Sequence, residues 1–165
     1  MAARAIRRER DLWGLIASLD KPLVAAVHGY CFGSGLELAC LCDLRVAADD
    51  AVFAMPETSL GLMPAAGGTQ LLPRLAGRGR ALELLLSGRR FDAREALDYK
   101  IVSMVAPRAA LPKEAWALLR AVLAAPQTAL TAAKRAVIEG EDLPLAHALV
   151  LEAQLGAAAR GTRHA

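Results

Sequence analysis

Apolar and polar positions along this chain switch repeatedly between a helical and a strand-like period. Over residues 5–19, Ile6, Leu12, Trp13, Leu15 and Ile16 fall on roughly one helical face, which predicts a first amphipathic helix. Asp20-Lys21-Pro22 ends it, because proline disfavours helical backbone in the residue before it. Leu23 to Val27 is a short, wholly apolar run and predicts a buried strand. Gly29 to Gly35 reads as a glycine-rich turn, with a helix opening from it over Leu36 to Leu41. Leu44 to Ala47 and Val52 to Ala54 predict two further short strands, separated by the turn-forming Asp49-Asp50.

Beyond them the punctuation thickens. Pro56, Gly61, Pro64, Gly67 and Gly68 mark the stretch from Pro56 to Gly68 as a loop. A helical stretch follows, broken near Gly77-Arg-Gly79, and a second runs over Arg80 to Leu86. Asp92-Ala-Arg-Glu95 predicts a helix start, since Asp can cap the first turn and a Glu three residues on can reach back. Ile101 to Val105 predicts a strand closed by Pro107. From Leu111 the pattern is helical in three segments, broken near Pro126 and over Gly140 to Pro144. Strands thus occupy the first two-thirds and helices the end, with no linker, low-complexity tract or strict repeat.

Composition narrows the class. The 165 residues are 55% apolar, 22% charged and only 4% aromatic, which excludes intrinsic disorder and allows a self-sufficient core. A net charge of +3, scattered along the chain, gives no ground for a nucleic-acid partner. Mean hydropathy is positive at +0.32, but no apolar run approaches the roughly 18–20 residues of a membrane-spanning helix. Cys31, Cys40 and Cys42 are odd in number and clustered, and Cys40-x-Cys42 is not a metal-binding spacing. Buried free thiols, a reducing compartment and no metal are expected. The first ten residues lack the apolar stretch of a secretory signal, and Glu9 and Asp11 count against a mitochondrial presequence, so a cytoplasmic protein is expected.

Two constellations carry candidate chemistry. The first is the apolar run, glycine-rich turn and helix start of Val24 to Leu38. Unpaired amides and the dipole at such a helix N-terminus can hold a phosphate, a carboxylate or a developing oxyanion. A dinucleotide-binding turn would need a third glycine where Leu38 stands, so that reading is set aside. Glycines that merely let strand and helix approach remain an alternative. The second is the pair Glu37 and Glu57, twenty positions apart, each in apolar or glycine- and proline-rich surroundings. A carboxylate there costs free energy unless it is bonded, and two carboxyls can share one water, one taking a proton while the other delivers one. Taken alone, the pair reads as two solvated glutamates, one in a first helical turn and one in a loop; the residues around them change that.

The order of motifs resembles the crotonase, or enoyl-CoA hydratase/isomerase, family. The resemblance rests on residues 21–30 (KPLVAAVHGY), 33–39 (GSGLELA), 42–47 (CDLRVA) and 53–57 (FAMPE), and continues through 60–70 (LGLMPAAGGTQ), 72–74 (LPR) and 87–96 (SGRRFDAREA). It runs over about residues 10–160. It implies an α/β fold, a crotonase-like spiral of ββα turns with a C-terminal helical region, here divided as 1–110 and 111–165. It implies chemistry on acyl-CoA thioesters, with CoA part of the substrate and no separate cofactor.

By the same resemblance, the N–H of Ser34, in the turn with Gly33 and Gly35, would be one of two oxyanion amides. Glu37 would help activate water for attack at C3, Glu57 would exchange the proton at C2, and the Ala65 N–H would position the water. Having both glutamates favours hydration over double-bond isomerisation; an isomerase and a catalytically silent binding subunit are the rivals. Tyr30, His28 and Cys31 are expected to be structural, since no partner spacing supports a nucleophile. A homo-oligomer, a trimer or dimer of trimers, is implied.

Departures from the family pattern are local, apart from the chain ends. Serine replaces glycine at position 34, tolerable if its φ is negative, and Lys100 stands where a glycine often ends the preceding helix. The chain opens on the helix before Lys21-Pro22 and reaches only the penultimate family helix. The early strands, the second oxyanion amide and much of the CoA surface are therefore expected to lie outside these residues, leaving apolar surface to be covered.

Overall fold

The computed structural model describes residues 12–161. Contacts divide the chain into two compact units: residues 23–116 with the segment up to Ser18, and residues 117–165 with Leu19–Pro22.

The first unit begins with helix α1 (Leu12–Ala17); the Ile6 portion of the predicted helix lies outside the described residues. The chain then deals strands alternately to two small sheets. Strands β1 (Val24–Val27), β3 (Leu44–Ala48) and β6 (Met104–Ala106) form one sheet in the order β1-β3-β6, parallel throughout. Strands β2 (Tyr30–Phe32), β4 (Val52–Ala54) and β5 (Phe91–Asp92) form the other, parallel between β2 and β4 and antiparallel between β4 and β5. Each ββα turn thus places one strand in each sheet and stacks on the turn before, with Val24 opposite Leu44 and Tyr30 opposite Val52. Helix α2 (Ser34–Leu41) closes the first turn; α3 (Gly68–Ala76) and α4 (Arg78–Ser87) follow the second.

The residues that fill the space between these layers are those the apolar pattern marks. Leu36, Val46, Phe53, Met55, Leu72, Leu84, Phe91 and Ile101 are all fully buried. Phe53 and Phe91 face each other across the β4–β5 pair and stack at 5.4 Å between ring centroids. Burying such side chains contributes about 1.5–3 kcal/mol each, which is what draws these short strands together.

Three predicted elements are corrected. The run Gly29 to Gly35 is not one turn but two tight corners flanking β2. Gly29 (φ 60°) accepts from the Val52 N–H, and Gly33 (φ 51°) donates to the Ala54 carbonyl, so the three residues between them pair with β4. The loop from Pro56 contains a 3₁₀ turn, Glu57–Leu60. The predicted strand Ile101–Val105 shrinks to β6, because the amides before it are spent elsewhere. Helix α5 (Ala93–Asp98) starts on the expected capping box of Asp92 and Glu95. It ends in a Schellman motif: Lys100 N–H donates to Leu97, and Ile101 N–H to Ala96. Val102 N–H also reaches Ala96, and Ser103 N–H reaches the Arg45 carbonyl. Lys100 occupies the left-handed position of this cap at φ 62°, the one non-glycine residue with positive φ among those described.

Helix α6 (Leu111–Leu123) crosses the boundary between the units at Trp116. Among the described residues the second unit is otherwise a pair of helices, α7 (Gln127–Gly140) and α8 (Leu145–Gly161), with the Thr131 hydroxyl and Lys134 ammonium donating to the carbonyls of Asp20 and Lys21. Among the described residues no helix is long and apolar enough to cross a membrane.

Candidate active site

Helix α2 supplies the first half of the site. Its N-cap is Gly33, whose φ of 51° and ψ of −121° swing the chain out of β2 and directly into the helix. No side chain caps that end. The N–H groups of Ser34, Gly35 and Leu36 have no acceptor among the described residues, the ordinary consequence of starting a helix. Ser34 and Gly35 are exposed, and Ser34 keeps negative φ, so serine presents the same amide that glycine would. Gly35 is not required by space, since a Cβ built there meets nothing within 4 Å. Of the three turn residues singled out from the sequence, Gly33 alone is sterically constrained.

Glu37 lies one turn along α2 and is only 2% exposed. Its Oε1 accepts from the backbone N–H of Ala66 at 2.9 Å and of Gly68 at 2.9 Å. Two amides of the loop that opens α3 therefore hold this carboxylate, and the loop can approach because Gly68 has no side chain. A Cβ on Gly68 would stand 3.0 Å from Glu37 Oε1 and 2.3 Å from Met55 Cε. Sequence reasoning missed Ala66 and Gly68; the signal available was the Gly67-Gly68 pair beside a buried acid. Ala65, singled out instead, is exposed one residue before Ala66, and its N–H has no acceptor among the described residues.

Glu57 arrives from the other side. It opens the 3₁₀ turn after β4, and its carbonyl accepts from Gly61 and Leu62 N–H, which tightens that turn. Its Oε1 sits 2.7 Å from where a Cβ on Gly33 would be, so the carboxylate lies against the head of α2. Its Oε2 is buried and accepts no hydrogen bond. Buried acceptors nearly always have a donor, so an orphan oxygen at the mouth of a helix asks for a ligand that brings one. The fold thus brings together Gly33, Ser34, Glu37 and Glu57, with the 65–68 loop bound to Glu37.

Among the described residues no hydrogen bond links His28, Tyr30 or Cys31 to Glu37 or Glu57. His28 is exposed at the end of β1. Tyr30 is exposed beside Phe32, with Arg90 over both rings. Cys31 is buried, and desolvation pushes its thiol up to about 11; Cys40 is pushed to about 12 mainly by the same cause. Thiols that hold their protons this firmly are poor nucleophiles. Cys31 and Cys40 are free thiols, and no group of three or more His, Cys, Asp or Glu among the described residues could hold a metal ion.

The described ββα turns thus carry unpaired amides at the head of α2 with Glu37 and Glu57 beside it. The family model for enoyl-CoA hydratase/isomerase matches residues 3–164, and the chain belongs to that family. The 2,3-dehydroadipyl-CoA hydratase of Escherichia coli is 41% identical over 145 residues, covering 88% of this chain and 57% of the relative. The crystal structure of enoyl-CoA hydratase from Bacillus anthracis superposes with a TM-score of 0.90 at 36% identity, covering 94% of this chain and 60% of that one. A Thermobifida fusca relative solved in complex with CoA gives a TM-score of 0.82 at 34% identity, covering 92% and 57%. The chain spans somewhat more than half the length of each of these three relatives.

Proposed function

We propose that the protein adds water reversibly across the 2,3 double bond of an acyl-CoA thioester. The observation that carries this reading is the buried, unpaired Glu57 Oε2 beside the head of α2, in a site where Glu37 is already fixed by two amides. A water in that space could donate to Glu57 and Glu37 together. The Ser34 N–H points from the helix mouth as a donor for the thioester oxygen, where negative charge develops as the enolate forms; one such donor contributes about 10²–10³ in rate. The Ala65 N–H is a further donor for the water. Glu37 helps activate the water, whose hydroxyl bonds to C3 while its proton passes to the Glu57 carboxylate, and Glu57 delivers a proton to C2, so the hydroxyl and proton of one water add across one double bond.

CoA enters as part of the substrate, and the reading calls for no other cofactor. Family membership and a relative with bound CoA support an acyl-CoA ligand. A homo-oligomer built from trimers and a cytoplasmic location complete the proposal.

The test is hydration of crotonyl-CoA by the full protein, followed as loss of the conjugated-thioester absorbance. Glu57→Gln should slow it by about 10²–10⁴, the usual range for a positioned acid or base. An unchanged rate would remove Glu57 from the mechanism. Conversion of a 3-enoyl to a 2-enoyl thioester without net hydration would make the protein an isomerase, and tight acyl-CoA binding without turnover would make it a binding subunit.

A further inference from the structure

Helix α2 is fixed at the end opposite the site by a buried cation. Arg45, the second residue of β3, is 5% exposed. Among the described residues it makes no ion pair; its guanidinium spends its donors on backbone carbonyls. Nε donates to Ile101 at 2.6 Å, Nη1 to Ala39 at 3.2 Å and to Cys42, and Nη2 to Asp43 at 3.5 Å. Ala39 lies in the last turn of α2, and Cys42 and Asp43 follow it directly. The carbonyls of a helix C-terminus carry partial negative charge and few intrahelical partners (here that of Ala39 also accepts from the Cys42 N–H), so a cation is stabilised there. The fork also ties that end to Ile101, whose N–H closes the Schellman cap, while the Arg45 carbonyl accepts from Ser103.

We infer that Arg45 is a positioning residue: it clamps the carbonyl end of α2 and thereby sets where the amide end stands, with the Ser34 N–H and the Glu37 carboxylate. The other holds on α2 are the Glu37 bonds to the 66–68 loop, nearer its amide end, and packing of Leu36, Ala39 and Cys40, which are buried. Apolar packing is non-directional and resists sliding and tilting weakly, whereas a guanidinium fork fixes direction. Eight residues make α2 roughly 12 Å long, so a tilt of about 5° at the clamped end moves the other end by about 1 Å. A displacement of that size can cost about 10²-fold in rate.

The kinetic consequence rests on the hydratase reading; the geometric one does not. The test therefore has two arms on the full protein, with Arg45→Met, which keeps the stem and removes the fork, and Arg45→Lys, which keeps a single point donor. In crotonyl-CoA hydration, Arg45→Met should lower kcat by about 10²-fold with KM within about threefold of wild type, and Arg45→Lys should fall between. In amide hydrogen exchange, the N–H groups of Ala66 and Gly68, which bond to Glu37, should lose protection by about tenfold or more while amides of β4 keep theirs. A folded Arg45→Met with wild-type kcat, or with exchange quickened equally across β4 and the 66–68 loop, overturns the clamp. Should Arg45→Met fail to fold, Arg45→Lys is judged by the same readouts. Absence of hydration by wild type would defeat the hydratase reading alone, and the exchange arm would still decide the clamp.

Discussion

The hold on Glu37 can be separated from its chemistry by two substitutions. Glu37→Ala removes the acceptor that satisfies both the Ala66 and the Gly68 N–H. A buried donor left unsatisfied costs about 1–3 kcal/mol, toward the upper end for buried Gly68 and the lower end for half-buried Ala66. Removing a carboxylate that is 2% exposed gives part of this back, since its desolvation no longer opposes folding. A net loss of about 2–3 kcal/mol follows, a fall in Tm of about 5–10 °C for a chain of this size. Glu37→Gln retains an amide oxygen that can accept from both donors and should cost under about 1 kcal/mol. Both variants should lose hydration by at least about 10²-fold, because neither has the carboxylate. Thermal melts and initial rates on the same preparations make the comparison. Equal melts for the two variants, or a Glu37→Ala protein as stable as wild type, would show that the two amide bonds do not fix this side chain.

Gly68→Ala drives a Cβ to 2.3 Å from Met55 Cε and 3.0 Å from Glu37 Oε1. Because Met55 is buried, the strain should cost about 1–3 kcal/mol and lower the hydration rate as Glu37 is displaced; a wild-type melt and rate would contradict the close approach. Lys100→Gly should raise stability by about 1 kcal/mol, or Tm by about 3 °C, by relieving a left-handed side chain, whereas Lys100→Ala should give no gain. Cys31 and Cys40 titrate well above their unfolded value of 9.0, so folding favours the neutral thiols. Their contribution is complete below about pH 9 and is lost as pH rises toward about 11–12; melts from pH 7 to 11 should fall above about 9, less so with both cysteines replaced by alanine.

Local signals in the sequence were sufficient for most elements and for half of the site. The capping box at Asp92 and Glu95, the helix breaks at Pro126 and Gly140–Pro144, and the strand at Val52–Ala54 depend on neighbours within a few residues, and the structure has them there. Gly33, Ser34 and Glu37 share one helix start, so spacing alone could place them together. The family, too, is written in motifs that run nearly the whole chain.

What only the tertiary structure decided depends on segments distant in sequence. Tyr30–Phe32 becomes a strand because β4, twenty residues on, offers it a partner. Ile101 and Val102 do not, because their amides close the helix before them and their neighbour's reaches Arg45. Nothing near Glu57 announces that its carboxylate will lie over Gly33, and nothing near Glu37 announces the amides of Ala66 and Gly68. Nor does Arg45 in an apolar strand reveal that it caps the helix carrying Glu37. The hydrophobic period determines which face of an element is buried. Which polar groups then meet is determined by chain-distant approach, and a buried carboxylate or guanidinium must find its hydrogen bonds there because water cannot supply them.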